Sequence, residues 1–420
     1  MNALRRFIGL FLLSLLLVHP QVQAQPRASR AETHWVASWA AAPQDYTLAP
    51  NWARPKQPAS PSFGDQTLRQ HLQPTLGGQR LRIRFSNLFG RTPLHIASAS
   101  VAIGTGAASV SPSTLRSLRF SGRAGITIAP GAEAWSDAVR LNVDPARSVM
   151  VSFHIDAPVP FATVHMLTPG ATWIAAGDQV RRAAWPNATR SMWNHIVTGL
   201  DVARSTPSRV VVTFGDSITE GAGIEDAVAR YPERLALRLR GQPRTAGFFS
   251  VINAGISGNR LLTDGVGPRA IDRFRRDVLG QSGVTHVIIL IGINDIGMST
   301  PTNGSPSTLG PPSVEQLAAG LQQLIAEAHG RGVKVLLGTL PPFQGAPYWS
   351  AEKELRRQTL NRWIRGRLDV NAVVDFDAAL RDPANPLALK PVYDSGDHLH
   401  PGKVGHAAMA DIIDLRELRE

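Results

Sequence analysis

The residues best able to do chemistry are one serine in the middle of the chain and an aspartate and a histidine near its end. Val210 to Gly223 read Val-Val-Val-Thr-Phe-Gly-Asp-Ser-Ile-Thr-Glu-Gly-Ala-Gly. Four β-prone residues, Val210 to Thr213, predict a buried strand that stops at Gly215, after which a polar turn presents Ser217. In an open parallel α/β sheet, the loops after the carboxyl ends of strands are where ligands bind. Taken alone, such a serine could simply cap the next helix or satisfy the turn backbone. The segment Asp394-Ser395-Gly396-Asp397-His398-Leu399-His400-Pro401 changes the balance, because it sets Asp397 and His400 three residues apart. In a helical turn or a compact loop, residues i and i+3 can touch. Acyl transfer by serine needs that pair: an imidazole takes the hydroxyl proton and a carboxylate holds the imidazole's tautomer.

With this pair the chain resembles the SGNH hydrolases, also called GDSL-type esterases and lipases, through four blocks in the family's order. Gly215-Asp216-Ser217-Ile218 is similar to the first block, with Ile in place of Leu. Ile256-Ser257-Gly258-Asn259 resembles the glycine block, Gly292-Ile293-Asn294-Asp295 the Gly-x-Asn-Asp block, and Asp397-His398-Leu399-His400-Pro401 the Asp-x-x-His block. The resemblance covers roughly the C-terminal half. It implies a serine esterase with Ser217 as nucleophile, His400 as base and Asp397 orienting it. It also implies an oxyanion hole made of the Ser217 and Gly258 backbone N–H groups and the Asn294 side-chain amide, and no cofactor.

Other uses of these residues are open at the level of sequence. Without the motif context, Gly258 would be read as a turn glycine needing positive φ, and Asn294 as a loop residue bonding its own backbone. Asp216 and Asp295 suit loop-holding roles better than catalytic ones. His398 competes with His400, but it adjoins Asp397 and stands where the family often has a small residue, which favours His400. The cluster Asp394, Asp397, His398 and His400 could hold a metal, but no further ligand set accompanies it and the serine already accounts for the pair. No metal site is therefore expected.

From Arg209 onward, strands and helices alternate. Strands are predicted at Val210–Thr213, Phe249–Asn253, His286–Ile291, Lys334–Leu340 and Ala372–Phe376. Helices are predicted near 230–240, 269–279, 313–329, 351–367 and 404–415. This grammar implies βαβ crossovers and a parallel three-layer α/β/α sandwich with flavodoxin-like strand order 2-1-3-4-5. Ser217, Gly258, Asn294 and the Asp397 segment then follow the first, second, third and fifth strands and converge on one edge.

Between about 31 and 200 the period is two. Leu81, Ile83 and Phe85 alternate with Arg80, Arg82 and Arg84, and Val149, Val151, Phe153 and Ile155 with Ser148, Met150, Ser152 and His154. Short half-buried strands between turns predict an antiparallel β-sandwich or jelly roll. Seven of the nine tryptophans fall here, Trp35, Trp39, Trp52, Trp135, Trp173, Trp185 and Trp193. Packing is the commoner use of tryptophan, and stacking on sugar rings the alternative. The predicted organisation is thus a leader at 1–24, a β-domain at 31–200 and a hydrolase domain at 208–420, with the connection within 186–208.

The leader follows from Arg5 and Arg6, the apolar run Phe7 to Val18 and the small-residue site Val22-Gln23-Ala24, a signal-peptide pattern that predicts a secreted or periplasmic protein. The run is short for a membrane span, and no later stretch is long and apolar enough to cross one. Absence of cysteine excludes disulfides, a thiol nucleophile and thiolate zinc sites. The net charge is +12, of which Arg5 and Arg6 supply two; the surplus is arginine, scattered over solvated faces and including Arg273, Arg275 and Arg276. It allows loose attraction to acidic polysaccharide, but no nucleic-acid motif accompanies it. A Gly-x-Ser-x-Gly elbow and a Walker loop are both missing, which speaks against an ordinary α/β-hydrolase and against nucleotide hydrolysis.

The loop Gly297 to Pro312 is rich in Gly, Ser, Thr and Pro and follows Asn294, so it is expected to border the pocket. A polar border, export and an accessory β-domain favour short acyl groups, acetyl above all, on carbohydrate. A lipase or lysophospholipase, an acyltransferase to a sugar hydroxyl, and a non-catalytic carbohydrate-binding protein are the alternatives.

Overall fold

Two sheet regions with different grammars make up the fold, and the second carries the candidate residues. The computed structural model describes residues 33–48, 62–166, 172–298 and 311–419. The expected leader, Trp52 and most of the Gly297–Pro312 loop lie outside the described residues.

Period-two patterning builds an antiparallel, β-rich N-terminal region. One sheet runs His34–Ala40, Val197–Arg204, Gly78–Ser86, Val139–Val143 in spatial order, with Glu133–Trp135 also paired to Gly78–Ser86. The other runs Thr189–Ser191, Thr172–Ala176, Gln66–Leu72, Val149–Ile155, Ser98–Gly106, Ser109–Val110. Leu81, Ile83 and Phe85 are fully buried, and Phe85 meets Phe153 of the other sheet edge to face with ring centroids 5.6 Å apart.

Two expectations about faces need correction. Val149–Ile155, expected to be half-buried, is buried along its whole length, because Met150 packs with Ala102 and Val110 and Ser152 accepts a hydrogen bond from Arg69 Nε at 2.8 Å. Arg82, on the supposedly solvated face of Gly78–Ser86, pairs with Asp201 at 2.7 Å and lies over the rings of Trp35 and Trp135. The cause is tertiary: that face of the sheet meets the C-terminal region. Arg82 donates to Ser282 Oγ at 3.2 Å, Ala37 N–H donates to the Ser282 carbonyl at 2.9 Å, and Thr75 Oγ1 stands 2.9 Å from Ser250 Oγ. None of the six described tryptophans of this region is fully exposed, and Arg69 covers Trp185 in the same way.

The last N-terminal strand runs to Arg204, so the connection narrows to 205–208. Five parallel strands follow, Arg209–Gly215, Phe249–Gly255, Val284–Leu290, Lys334–Gly338 and Ala372–Val374. Their spatial order is second, first, third, fourth, fifth, as the sequence implies. Val210, Val211, Val212 and Phe214 are wholly buried, as in a sheet covered on both faces.

Helices Tyr231–Gly241, Val314–His329, Ala351–Arg365 and Lys403–Ile412 lie where the periodicity puts them. Val314–His329 starts on a capping box between Ser313 and Gln316. The segment expected as one helix over 269–279 is instead α-helical at Ala270–Phe274 and π-helical at Arg275–Leu279. The fifth strand is shorter than expected because Asp375 caps a further helix, Phe376–Leu380. Among the described residues no helix is long and apolar enough to cross a membrane.

Candidate active site

The first strand ends under tight steric control. A Cβ on Gly215 would lie 2.2 Å from the Leu290 carbonyl oxygen and 2.3 Å from Thr219 Oγ1, so only glycine fits. Asp216 then accepts the Ile218 N–H at 3.0 Å, and Ser217 opens the single turn Ser217–Glu220. Ser217 is buried, at the carboxyl end of the sheet.

The Asp394–Pro401 segment is a compact loop, pinned by the Ser395 N–H donating to the His400 carbonyl at 3.0 Å. Gly396 and His398 take left-handed φ of 105° and 63°, which lets the chain double back within a few residues. Asp397 Oδ1 accepts the backbone N–H groups of Leu399 and His400 at 3.0 and 2.8 Å. Its Oδ2 lies 2.6 Å from His400 Nδ1, and His400 Nε2 lies 2.8 Å from Ser217 Oγ. Burial alone would raise Asp397, but the His400 ring, together with the His400 and Leu399 N–H groups, outweighs it and holds the carboxyl well below the usual carboxylate range. An ionised Asp397 accepts only, so Nδ1 carries the proton and Nε2 presents a lone pair to the serine hydroxyl.

His398 is separated from this chain of bonds. Its Nδ1 pairs with Asp394 Oδ2 at 2.6 Å, and its ring lies against Gly345, where a Cβ would stand 2.8 Å from the imidazole.

The other two blocks follow the second and third strands. Gly258 adopts a left-handed φ of 72°. Asn294 is buried and donates through Nδ2 to the Asn259 carbonyl at 3.0 Å, so the two loops are joined at this point. Asp295 reinforces the junction, accepting the Leu261 and Leu262 N–H groups at 2.7 and 3.1 Å. Burial pushes Asp216 up to about 7 and Asp295 up to about 6.

Three contributors were not recognised from the sequence. Arg273, counted there among solvated charges, is fully buried. Its guanidinium lies over Phe214 and donates to the Gly215 and Ala254 carbonyls at 2.8 Å each, to Asn259 Oδ1 at 2.9 Å and to Asp277 at 3.1 Å. It therefore ties the first two strand ends to the glycine block. Burial lowers its pKa to about 10, so it stays charged. The i,i+4 spacing of Arg273 and Asp277 was the available signal. Tyr348 is the second: a Cβ on Gly297 would come within 2.3 Å of its ring, so the ring covers the turn after Asn294. Burial, with the negative fields of Asp216 and Asp397, pushes the Tyr348 hydroxyl up. The third is Glu220, whose Oε2 accepts the Ser257 N–H at 2.5 Å. Local pattern carries no sign of these last two contacts.

An imidazole lone pair 2.8 Å from a hydroxyl can take its proton as the oxygen attacks a carbonyl carbon. Among the described residues no group of three His, Cys, Asp or Glu side chains could hold a metal ion.

Residues 213–408 match the family model described as GDSL-like lipase/acylhydrolase. These residues belong to that family. The acylhydrolase domain makes the protein an ester hydrolase. Solved structures similar to the chain include a GDSL-like lipase from Bacteroides thetaiotaomicron, at 22% identity over 50% of this chain and 88% of that one, with a TM-score of 0.37. A catalytic mutant of an acetylxylan esterase from Geobacillus stearothermophilus is similar at 23% identity over 51% of this chain and 95% of that one, also with a TM-score of 0.37. No curated protein matches the chain.

Proposed function

We propose that this ester hydrolase is a serine esterase in which Ser217 attacks the ester carbonyl, His400 takes and returns the proton, and Asp397 holds and stabilises the imidazolium. The observation that carries the proposal is the unbroken chain of contacts from Asp397 Oδ2 through His400 to Ser217 Oγ, at 2.6 and 2.8 Å. The tetrahedral oxyanion would be met by the Ser217 and Gly258 backbone N–H groups and the Asn294 amide. The bond from Asn294 to Asn259 leaves the second amide hydrogen for that purpose. The pairing of His398 with Asp394 favours His400 as the base.

The substrate we propose is a short-acyl ester, an acetyl group on carbohydrate, met outside the cytoplasm by an exported protein. Tyr348 over the turn after Asn294 favours a small acyl group. Read as a β-sandwich, the N-terminal region offers a groove of about 610 Å³ whose lining includes Arg116, Arg140 and Arg147 and no carboxylate, which suits an acidic polysaccharide.

The test is hydrolysis of 4-nitrophenyl esters of increasing chain length, with Ser217→Ala as control, followed by acetate release from acetylated xylan, pectin and glucan. Acetate esters are expected to be the best substrates, with activity lost in Ser217→Ala. A preference for octanoate or longer would make the protein a lipase, and a wild type no faster than Ser217→Ala would make it a binding protein.

A further inference from the structure

The loop that carries Gly258 is held from the N-terminal region as well as from the acylhydrolase domain. Glu220, at the end of the turn that Ser217 begins, is buried, and its Oε2 accepts the Ser257 N–H at 2.5 Å, one residue before Gly258. Its Oε1 lies 3.0 Å from Nε2 of His165, a buried side chain of the N-terminal region. His165 Nδ1 in turn lies 2.8 Å from the Ala42 carbonyl oxygen. A carbonyl only accepts, so Nδ1 carries a hydrogen, and Nε2 is the ring atom turned to the Glu220 carboxylate. The pair is a close, buried electrostatic contact between the β region and the turn that begins with Ser217.

Independent contacts clamp the far side of the same loop. Gln44 donates to the Val266 carbonyl at 3.0 Å while accepting the Met166 N–H at 2.8 Å. Val266 itself is fully buried in a cluster with Tyr46, Val164, Met166 and Trp193. Downstream, Asn259 closes the loop on itself by donating to the Pro268 carbonyl at 2.8 Å. The loop after the second strand is thus tied to the N-terminal region at two points, through Glu220 beside Gly258 and directly by Gln44 at Val266.

We propose that His165 and Glu220 are a positioning pair through which the N-terminal region aims the Gly258 N–H at the developing oxyanion, making that region part of the active site. This rests on the assignment of Gly258 as an oxyanion donor. Small errors in the placement of a donor cost catalysis far more than they cost substrate binding.

The experiment uses the full chain with 4-nitrophenyl acetate, and counts active sites by titrating Ser217 to completion with a fluorophosphonate. His165→Ala is expected to lower kcat per titrated site by ~10- to 100-fold with little change in KM. Glu220→Ala also removes the acceptor of the Ser257 N–H, so it should cost at least as much, and the double variant little more than Glu220→Ala alone, because His165 acts through Glu220. His165→Gln places an N–H where Nε2 was and should recover most of the activity. His165→Asn reaches only the Ala42 carbonyl and should not. If His165→Ala does not fold, the comparison of Gln with Asn decides. A kcat per site in His165→Ala equal to wild type, or His165→Asn as active as His165→Gln, overturns the proposal while leaving the serine esterase assignment standing. A wild type no faster than Ser217→Ala removes both.

Discussion

Replacing Asp397 with asparagine tests the site at its most specific point. Asparagine keeps an oxygen where Oδ1 accepts the Leu399 and His400 N–H groups, so the loop retains its shape. At the Oδ2 position it presents an N–H to His400 Nδ1, 2.6 Å away in the native contact. The imidazole must then turn its lone pair to Nδ1 and carry its proton on Nε2, which faces Ser217 Oγ and can no longer accept from it. In a fully buried triad this swap of tautomer costs on the order of 10⁴-fold, or about 5 kcal/mol of transition-state stabilisation. Here the Asp397 side chain is 48% exposed and that of His400 19%. Water can therefore offset part of the error, and the expected loss in kcat/KM is ~10²- to 10³-fold, about 3 to 4 kcal/mol. The assay is initial-rate hydrolysis of 4-nitrophenyl acetate, with circular dichroism and melting to show that the variant folds as wild type does. Asp394→Asn is the matched control: Asp394 faces the exposed His398 ring instead, and asparagine keeps an oxygen for the Gly396 and His398 N–H groups, so the loss should stay below about fivefold. A loss below about tenfold in folded Asp397→Asn, or a larger loss in Asp394→Asn, would refute the reasoning.

Further outcomes follow from the same geometry. Asn294→Ala removes one of the proposed oxyanion donors and should lower kcat by ~10²-fold with KM little changed, as steady-state kinetics would show. Asp216 has a folded pKa of about 7 against an unfolded 3.8, so its contribution to stability is full below the unfolded value and lost as pH rises through 7. In Asp216→Asn the urea midpoint should therefore fall less than in wild type between about pH 4 and about pH 8. Asp295, raised to about 6, acts in the same direction and persists in that variant, so some slope remains. Arg273→Lys cannot span the Gly215, Ala254 and Asn259 acceptors and should destabilise the fold by ~3 to 5 kcal/mol in urea unfolding, an equal stability with wild type being the contrary result.

What the sequence determined by itself was everything that depends on short-range pattern and on the rules of parallel sheets. Continuous β-prone runs mark strands covered on both faces, and βαβ connections bring every strand's carboxyl end to one edge. Ser217, Gly258, Asn294 and Asp397 all follow such ends, so the order of motifs along the chain by itself points them to one edge. The three-residue spacing of Asp397 and His400 likewise permitted contact, although whether a helical turn or a compact loop would deliver it was open.

The tertiary structure decided whatever depends on partners distant in the chain. It separated His400 from His398, because the left-handed backbone at His398 turns one ring to Asp394 while the other faces Ser217. It buried Arg273, which local charge counting had placed in solvent, since its carbonyl acceptors come from two other strands. It gave the polar face of Gly78–Ser86 a neighbour, turning alternation that implies solvent into a docking surface. And it brought His165 against Glu220 across 55 residues, a contact with no periodicity to announce it. Periodicity encodes which side of an element is apolar; the identity of what covers the polar side is written only in the packing of the whole chain.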